Sequence, residues 1–258
     1  MSDAVQVVIE GHVAIVTMNN PPANTWTRDS LEALTDLVHE LNANKDVYSL
    51  IITGQGDKFF SAGADLKLFA DGNKQVAADM STAFGRAFET LSQFRGLSIA
   101  AINGYSMGGG LEVALACDLR IVEEQAQMAL PEAAVGLLPC AGGTQTLAWL
   151  VGEGWAKRMI LCGERVNAEK ALEIGLVEEV TEQGSALTMA KEWAAKAERQ
   201  SPTSIAACKR LIQTARKEPM FAGMGYERDE FVRLFDSNDQ TEGVQAFLEK
   251  RKPNWTNS

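Results

Sequence analysis

The sequence predicts an α/β fold with a helical C-terminal section, on three observations. Up to about Gly142, short apolar runs with strand-like patterning alternate with amphipathic stretches of helical period. Beyond Gly142 the apolar pattern is predominantly helical. No low-complexity linker separates the two parts, and 258 residues are near the upper end for one compact core with an appendage.

The first strands are Val5-Val7-Ile9, which alternate, and the more continuous run Val13 to Val16, joined at Gly11-His12. Asn19-Asn20-Pro21-Pro22 ends this hairpin, because proline cannot donate to a ladder. From Thr27, a candidate N-cap, the period becomes helical, with Leu31, Leu34, Leu37, Val38 and Leu41 on one face. Leu50-Ile51-Ile52 reads as a short buried strand and Phe59 to Leu66 as a loop. Met80, Phe84, Phe88 and Leu91 mark the next helix. Leu97 to Ile102 is a strand that runs into Asn103-Gly104 and the triplet Gly108-Gly109-Gly110, after which helix formers begin. Leu119, Ile121 and Val122 suggest a further strand. Asn167 as N-cap and Gly175 just past the C-terminus bracket a short helix. Pro202 opens another helix, and Tyr226–Phe235 and Thr241–Lys250 continue the helical reading.

Composition excludes several classes of function. The chain is 46% hydrophobic and 22% charged, which fits neither disorder nor a fibre. A formal net charge of −10 argues against nucleic acid and against coating an anionic membrane. No apolar run has membrane-spanning length, and the start lacks the plan of a signal peptide. Cys117, Cys140, Cys162 and Cys208 stand far apart, which suggests buried reduced thiols in a cytoplasmic protein rather than a disulfide framework. With only His12 and His39, a histidine triad or zinc site is short of parts, so no metal is expected.

Two places carry candidate chemistry. A strand delivers the chain to the three glycines and a helix follows at once. Unpaired N–H groups there can hold an anion or a developing oxyanion, or the glycines merely permit close packing of strand and helix. Glu112 sits in the first turn that follows, where taken alone it reads as a solvated helix-start acid. Glu132 lies in Leu130-Pro131-Glu132-Ala133-Ala134-Val135 without a charged neighbour. Burying it requires a raised pKa or satisfied hydrogen bonds; the alternative is a solvated loop after Pro131.

At these residues the chain resembles the crotonase (enoyl-CoA hydratase/isomerase) superfamily, and most of all its enoyl-CoA hydratases. The resemblance rests on Ser61-Ala62-Gly63-Ala64-Asp65-Leu66, Ala101 through Gly110, Cys117-Asp118, Leu130-Pro131-Glu132, Ala141-Gly142-Gly143-Thr144-Gln145 and Phe247 to Lys252. It covers nearly the whole length. It implies a crotonase fold: a right-handed spiral of ββα units holding the active site over 1–198, then a helical trimerisation region over 199–258.

The resemblance implies the site as well. The backbone N–H groups of Ala64 and Gly109 would form an oxyanion hole for a thioester carbonyl. Glu112 would activate the water that attacks C3, and Glu132 would exchange the proton at C2. No separate cofactor is implied, since coenzyme A arrives on the substrate. Backbone from Ala62 through Ala64, Asp65 and Leu66 to Lys67 would border it, with Phe231 and Lys250 reaching it from a C-terminal helix, often a neighbouring subunit's. Lys250-Arg251-Lys252 also reads as a plain solvated helix end. Leu66, Leu68 and Phe69 are acyl-pocket candidates, with ordinary packing as the alternative. Trp149, Trp155 and Met159 are candidates for the surface of a homotrimer or a hexamer.

Two carboxyls with opposed pKa values supply acid and base without histidine or metal, and like charges close together favour one of them keeping its proton. Having both acids favours hydration of trans-2-enoyl-CoA to 3-hydroxyacyl-CoA, of the fatty acid β-oxidation type. The rivals are a Δ3-Δ2 enoyl-CoA isomerase, a specialised acyl-CoA hydratase, and a non-catalytic acyl-CoA-binding scaffold or RNA-binding relative. Two departures stand out: Cys140 where the family usually has glycine, and Thr146 where arginine is common. Cys140 either reshapes the site or is a plain buried thiol.

Overall fold

The computed structural model describes residues 3–258. An antiparallel hairpin, β1 (Val5–Glu10) and β2 (Val13–Met18), leads into α1 (Arg28–Ala43). Thr27 caps that helix, its hydroxyl accepting from the Ser30 N–H while the Ser30 side chain returns to the Thr27 N–H.

Three ββ units follow. They are β3 (Ser49–Gly54) with β4 (Phe59–Ser61), β5 (Leu97–Ile102) with β6 (Tyr105–Met107), and β7 (Leu119–Glu123) with β8 (Gln127–Ala129). The helices α2 (Lys74–Ser92) and α3 (Gly109–Leu115) close the first two. After α4 (Gly143–Leu161) come β9 (Val166–Asn167), α5 (Ala168–Glu173), β10 (Glu179–Thr181) and α6 (Ala186–Ala197). In each ββ unit the first strand joins a six-stranded sheet, ordered β1-β2-β3-β5-β7-β10. The second joins a four-stranded sheet, ordered β4-β6-β8-β9. The chain thus winds as a spiral through parallel crossovers, the connection for which strand twist favours a right-handed path.

Both faces of the large sheet are covered, and the strands read accordingly. Leu50 and Ile52 pack into the main core with the α1 and α2 stripes, while Ile51, Ile99 and Ile121 meet Ala186, Ala190 and Ala194 of α6. The short strands β4, β6, β8 and β9 were not legible in the sequence. Two or three residues are too few to display a period, and Phe59–Ser61 read as loop.

The C-terminal helices are α7 (Pro202–Thr214), α8 (Met220–Arg233) and α9 (Asn238–Leu248). Lys209 Nζ lies 2.7 Å from Asp118 Oδ2 and ties α7 to the spiral. Asp239, 1% exposed, accepts the N–H groups of Thr256 and Asn257, and so straps the last residues back onto α9. Many apolar side chains here remain in solvent, among them Phe221, Phe231, Phe235 and Phe247. Two sequence expectations change. Only Cys117 is a buried thiol; Cys140, Cys162 and Cys208 lie on loops or outward helix faces and are exposed. Of the three residues expected at an interface, Met159 is fully buried and Trp155 packs on the core under the Arg158 guanidinium, which leaves Trp149 on the surface. Among the described residues, no helix is long and apolar enough to cross a membrane.

Candidate active site

Three segments converge on a cleft of ≈ 880 Å³. The first is the loop after β4. Asn24, held at a φ of 51°, donates from Nδ2 to the Phe59 carbonyl at 2.9 Å, and Ser61 Oγ donates to the Asn24 carbonyl at 2.7 Å. A single parallel bridge then pairs Trp26 with Ala64, through Trp26 N–H to the Gly63 carbonyl and Asp65 N–H to the Trp26 carbonyl. In such a bridge the residue between the two bonds keeps its own N–H on the other side. The Ala64 N–H has no hydrogen-bond partner among the described residues.

The second segment is the glycine triplet. A Cβ on Gly63 would lie 2.9 Å from the Gly109 nitrogen and 2.7 Å from the Met107 carbonyl oxygen, so the two loops touch backbone to backbone. That approach, with Gly63 at a φ of +86°, explains a glycine there. Gly109 opens α3, and its N–H likewise has no partner among the described residues. With α3 only seven residues long, the single amides matter more than a macrodipole. Ala64 and Gly109 both line the cleft, so two unengaged N–H groups from distant parts of the chain face one space.

The carboxyls stand beside them. Glu112 is 3% exposed, and its Oε1 accepts the N–H groups of Ala141 at 2.8 Å and Gly143 at 2.9 Å. It is therefore not the solvated helix-start acid that it resembles in isolation. Burial raises its pKa, and the two amide bonds offset part of that rise. Glu132 begins a single 3₁₀ turn, Glu132–Val135, which ends at Gly136 with φ 75°. A Cβ on Gly108 would come within 2.9 Å of Glu132 Oε1, which sets the need for glycine at that position. Glu132 Oε2 is buried with no partner among the described residues. Burial first, and the charge of Glu112 to a lesser degree, push the Glu132 pKa up to about 7. Desolvation therefore does more than the like-charge repulsion expected from sequence.

The other candidates divide. Ala62, Leu66 and Phe69 line the cleft, so packing alone does not account for Leu66 and Phe69, whereas Leu68 is not among the lining residues. The Ala62 N–H is bonded to the Ala23 carbonyl, so Ala62 contributes its surface rather than a donor. Asp65 caps the 3₁₀ turn Leu66–Phe69 by accepting the Lys67 N–H, and neither Asp65 nor Lys67 lines the cleft. Phe231 and Lys250 do not line the cleft of their own chain; both are exposed, with Lys250 two residues past the end of α9 at a φ of 56°. Arg251 is engaged by Glu242 and Glu249. Cys140 lines the cleft between the two acids, and partial enclosure with both negative charges pushes its thiol up to about 11. It is no activated nucleophile. Sequence reading assigned no role to the amides of Ala141 and Gly143, or to the α2 face of Ala77, Ala78 and Ser81, which lines the cleft. Only the run Ala141-Gly142-Gly143 hinted at the former. The described residues contain no group of three or more His, Cys, Asp or Glu placed to hold a metal.

An apolar cleft that ends in paired free amides and two protected carboxyls defines an acyl-processing site of a known class. The chain belongs to the enoyl-CoA hydratase/isomerase family, whose pattern it matches over residues 8–258. It is 35% identical to the short-chain-enoyl-CoA hydratase of Clostridium acetobutylicum, covering 94% of each chain. Among solved structures it resembles Pseudomonas aeruginosa DspI at 62% identity and a TM-score of 0.96, covering 98% of this chain and 97% of that one. It also resembles the enoyl-CoA hydratase of Bacillus anthracis at 34% identity and a TM-score of 0.95, over 99% and 100%. The fold is accordingly the crotonase fold.

Proposed function

We propose that this chain is an enoyl-CoA hydratase that adds water reversibly across the C2=C3 bond of a trans-2-enoyl-CoA. The observation that carries the reading is the meeting of the unpartnered Ala64 and Gly109 amides beside two carboxyls of unequal environment, Glu112 buried and Glu132 half-buried. The two N–H groups donate to the thioester carbonyl oxygen and draw charge from C3; one such donor contributes about 2.7–4 kcal/mol to the transition state. Glu112, anchored through Oε1, takes a proton from water as the water oxygen bonds to C3. The C2=C3 electron pair moves onto C2 and the thioester oxygen, and Glu132, protonated near neutral pH, delivers its proton to C2. The sum is one water added and no net change of charge. The presence of both acids supports hydration over simple double-bond migration.

In this reading coenzyme A comes with the substrate, no separate cofactor is used, and the protein works in the cytoplasm. Residues 1–198 form the catalytic unit and 199–258 an assembly unit. The exposed apolar surface of α8 and α9 supports a homotrimer or hexamer in which Phe231 and Lys250 serve a neighbouring copy's coenzyme A. The test of function is loss of the conjugated-thioester absorbance on mixing with crotonyl-CoA and longer trans-2-enoyl-CoAs. Water addition to at least one is expected, and none to any would overturn the assignment. Phe231→Ala and Lys250→Ala should raise KM several-fold with kcat unchanged.

A further inference from the structure

Glu112, although almost wholly buried, lines two cavities. Behind it, away from the acyl cleft, a separate cavity of ≈ 520 Å³ lies between α3, the start of α4, the end of α2, and α7. Glu112 lines both spaces, and on the rear side its neighbours are Ala141, Gly142 and Thr146. The outer rim is formed by Cys208, Ile212 and Arg216, all exposed, so this cavity opens to solvent. Its walls carry the Asp118–Lys209 pair and the Thr146 hydroxyl, which has no hydrogen-bond partner among the described residues and lies near Gly142. Most of its lining is apolar, but it is open to solvent past that rim, carries these polar groups along its wall, and at ≈ 520 Å³ has room for about ten or more waters at ~30 Å³ each.

From this we propose that the rear cavity is a water port, through which the water that adds to C3 reaches Glu112 while the acyl-CoA still fills the front cleft. The inference rests on the hydratase reading. Hydration consumes one water at Glu112 in each turnover, and dehydration releases one there. The front cleft is walled largely by alanine, leucine and phenylalanine, and its bound substrate blocks the way in. The rear wall is thin: Gly142, at a φ of +96°, has no side chain between the cavity and the segment whose amides grip Glu112 Oε1. That grip leaves Oε2 for the water. Thr146, unremarkable in sequence apart from its departure from the family's usual residue, supplies a polar step on the route.

The native protein tests this directly. A 3-hydroxyacyl-CoA is incubated in ¹⁸O-water, and ¹⁸O incorporation at C3 is compared with release of free enoyl-CoA, read by isotope transfer into an enoyl-CoA pool. With a rear port, water exchanges while the enoyl-CoA stays bound, so incorporation outruns release. Cys208→Phe and Thr146→Leu, which plug the port, should cut that ratio about tenfold toward one. In the same variants Kd for a CoA thioester and C2 proton exchange of a saturated acyl-CoA in D₂O, which needs no added water, should stay unchanged. Cys208→Leu, a smaller change at an exposed helix position, serves if the larger plugs do not fold. A native ratio of one overturns the proposal, as does a ratio that the plugs leave unmoved or a parallel loss of C2 exchange. Absence of any interconversion overturns the hydratase reading as well, and is seen before a ratio is taken.

Discussion

The two acids of the cleft occupy contrasting supports. Glu112 stands on a helix, is almost wholly buried, and has one oxygen gripped by the amides of Ala141 and Gly143. Glu132 stands on a single 3₁₀ turn, and its Oε2 is buried without a partner. Amides that donate to a carboxylate favour its charged form, while an unpartnered buried oxygen favours the proton. The contrast teaches that one fold can prepare a base and an acid from the same residue type by the hydrogen bonds it grants or withholds. This is the pattern by which acid and base roles are assigned at neutral pH.

The largest expected effects come from removing either acid. Glu112→Gln and Glu132→Gln should each lower kcat for hydration by ~10²–10⁴-fold, the usual range for a general acid or base, with Kd for a CoA thioester little changed. C2 proton exchange of a saturated acyl-CoA separates them: Glu132→Gln should abolish it and Glu112→Gln should leave it. Loss of exchange in both variants would break the division of labour.

Smaller effects come from the supports. In Gly143→Ala the new Cβ would sit 2.9 Å from Glu112 Oε1 and from Pro139 Cβ, and in Gly108→Ala 2.9 Å from Glu132 Oε1 at a φ of +54°. Each should reduce hydration by roughly ten- to a hundredfold by displacing a positioned group. Only Gly108→Ala should also slow C2 exchange, as steady-state and exchange rates on the same preparations will reveal.

The pH dependence refines the contrast further. Because Glu132 must carry a proton to donate it, hydration should decline as pH rises through about 7. Glu112→Gln, by removing a nearby negative charge, should move that decline to lower pH in whatever activity remains. Stability follows the same sign. Below the ordinary carboxylate pKa of 4.5 Glu132 is neutral in both folded and unfolded chains and makes no difference. As pH rises from there to about 7 only the unfolded chain ionises, so folding loses free energy, and the loss is complete above about 7. Glu132→Gln should therefore gain on the order of 1–3 kcal/mol at pH 8 and nothing at pH 4, read by denaturant unfolding.

Much of this was legible in the sequence, because long elements repeat their signal. The α1 stripe from Leu31 to Leu41, the Thr27 and Asn167 caps and Pro202 at the start of α7 all stand where pattern and capping chemistry put them. The candidate acids were legible only in part. Glu112 alone reads as a solvated acid, since its burial depends on Ala141 and Gly143, 29 and 31 residues away. The contact of Gly63 with Gly109 is likewise tertiary, and came from family resemblance rather than from spacing. The exposed thiols of Cys162, just past the end of α4, and Cys208, on an outward face of α7, show the converse: residue type predicts burial on average, and local position overrides it.

The central claim is that the Ala64 and Gly109 amides polarise the thioester carbonyl. The infrared stretch of carbonyl-¹³C-labelled enoyl-CoA bound to Glu112→Gln, where turnover is slow, measures that polarisation without waiting for product. A bound frequency clearly below that of the free thioester is the predicted result. A stretch that stays at its free-solution position in a saturated complex would contradict the account.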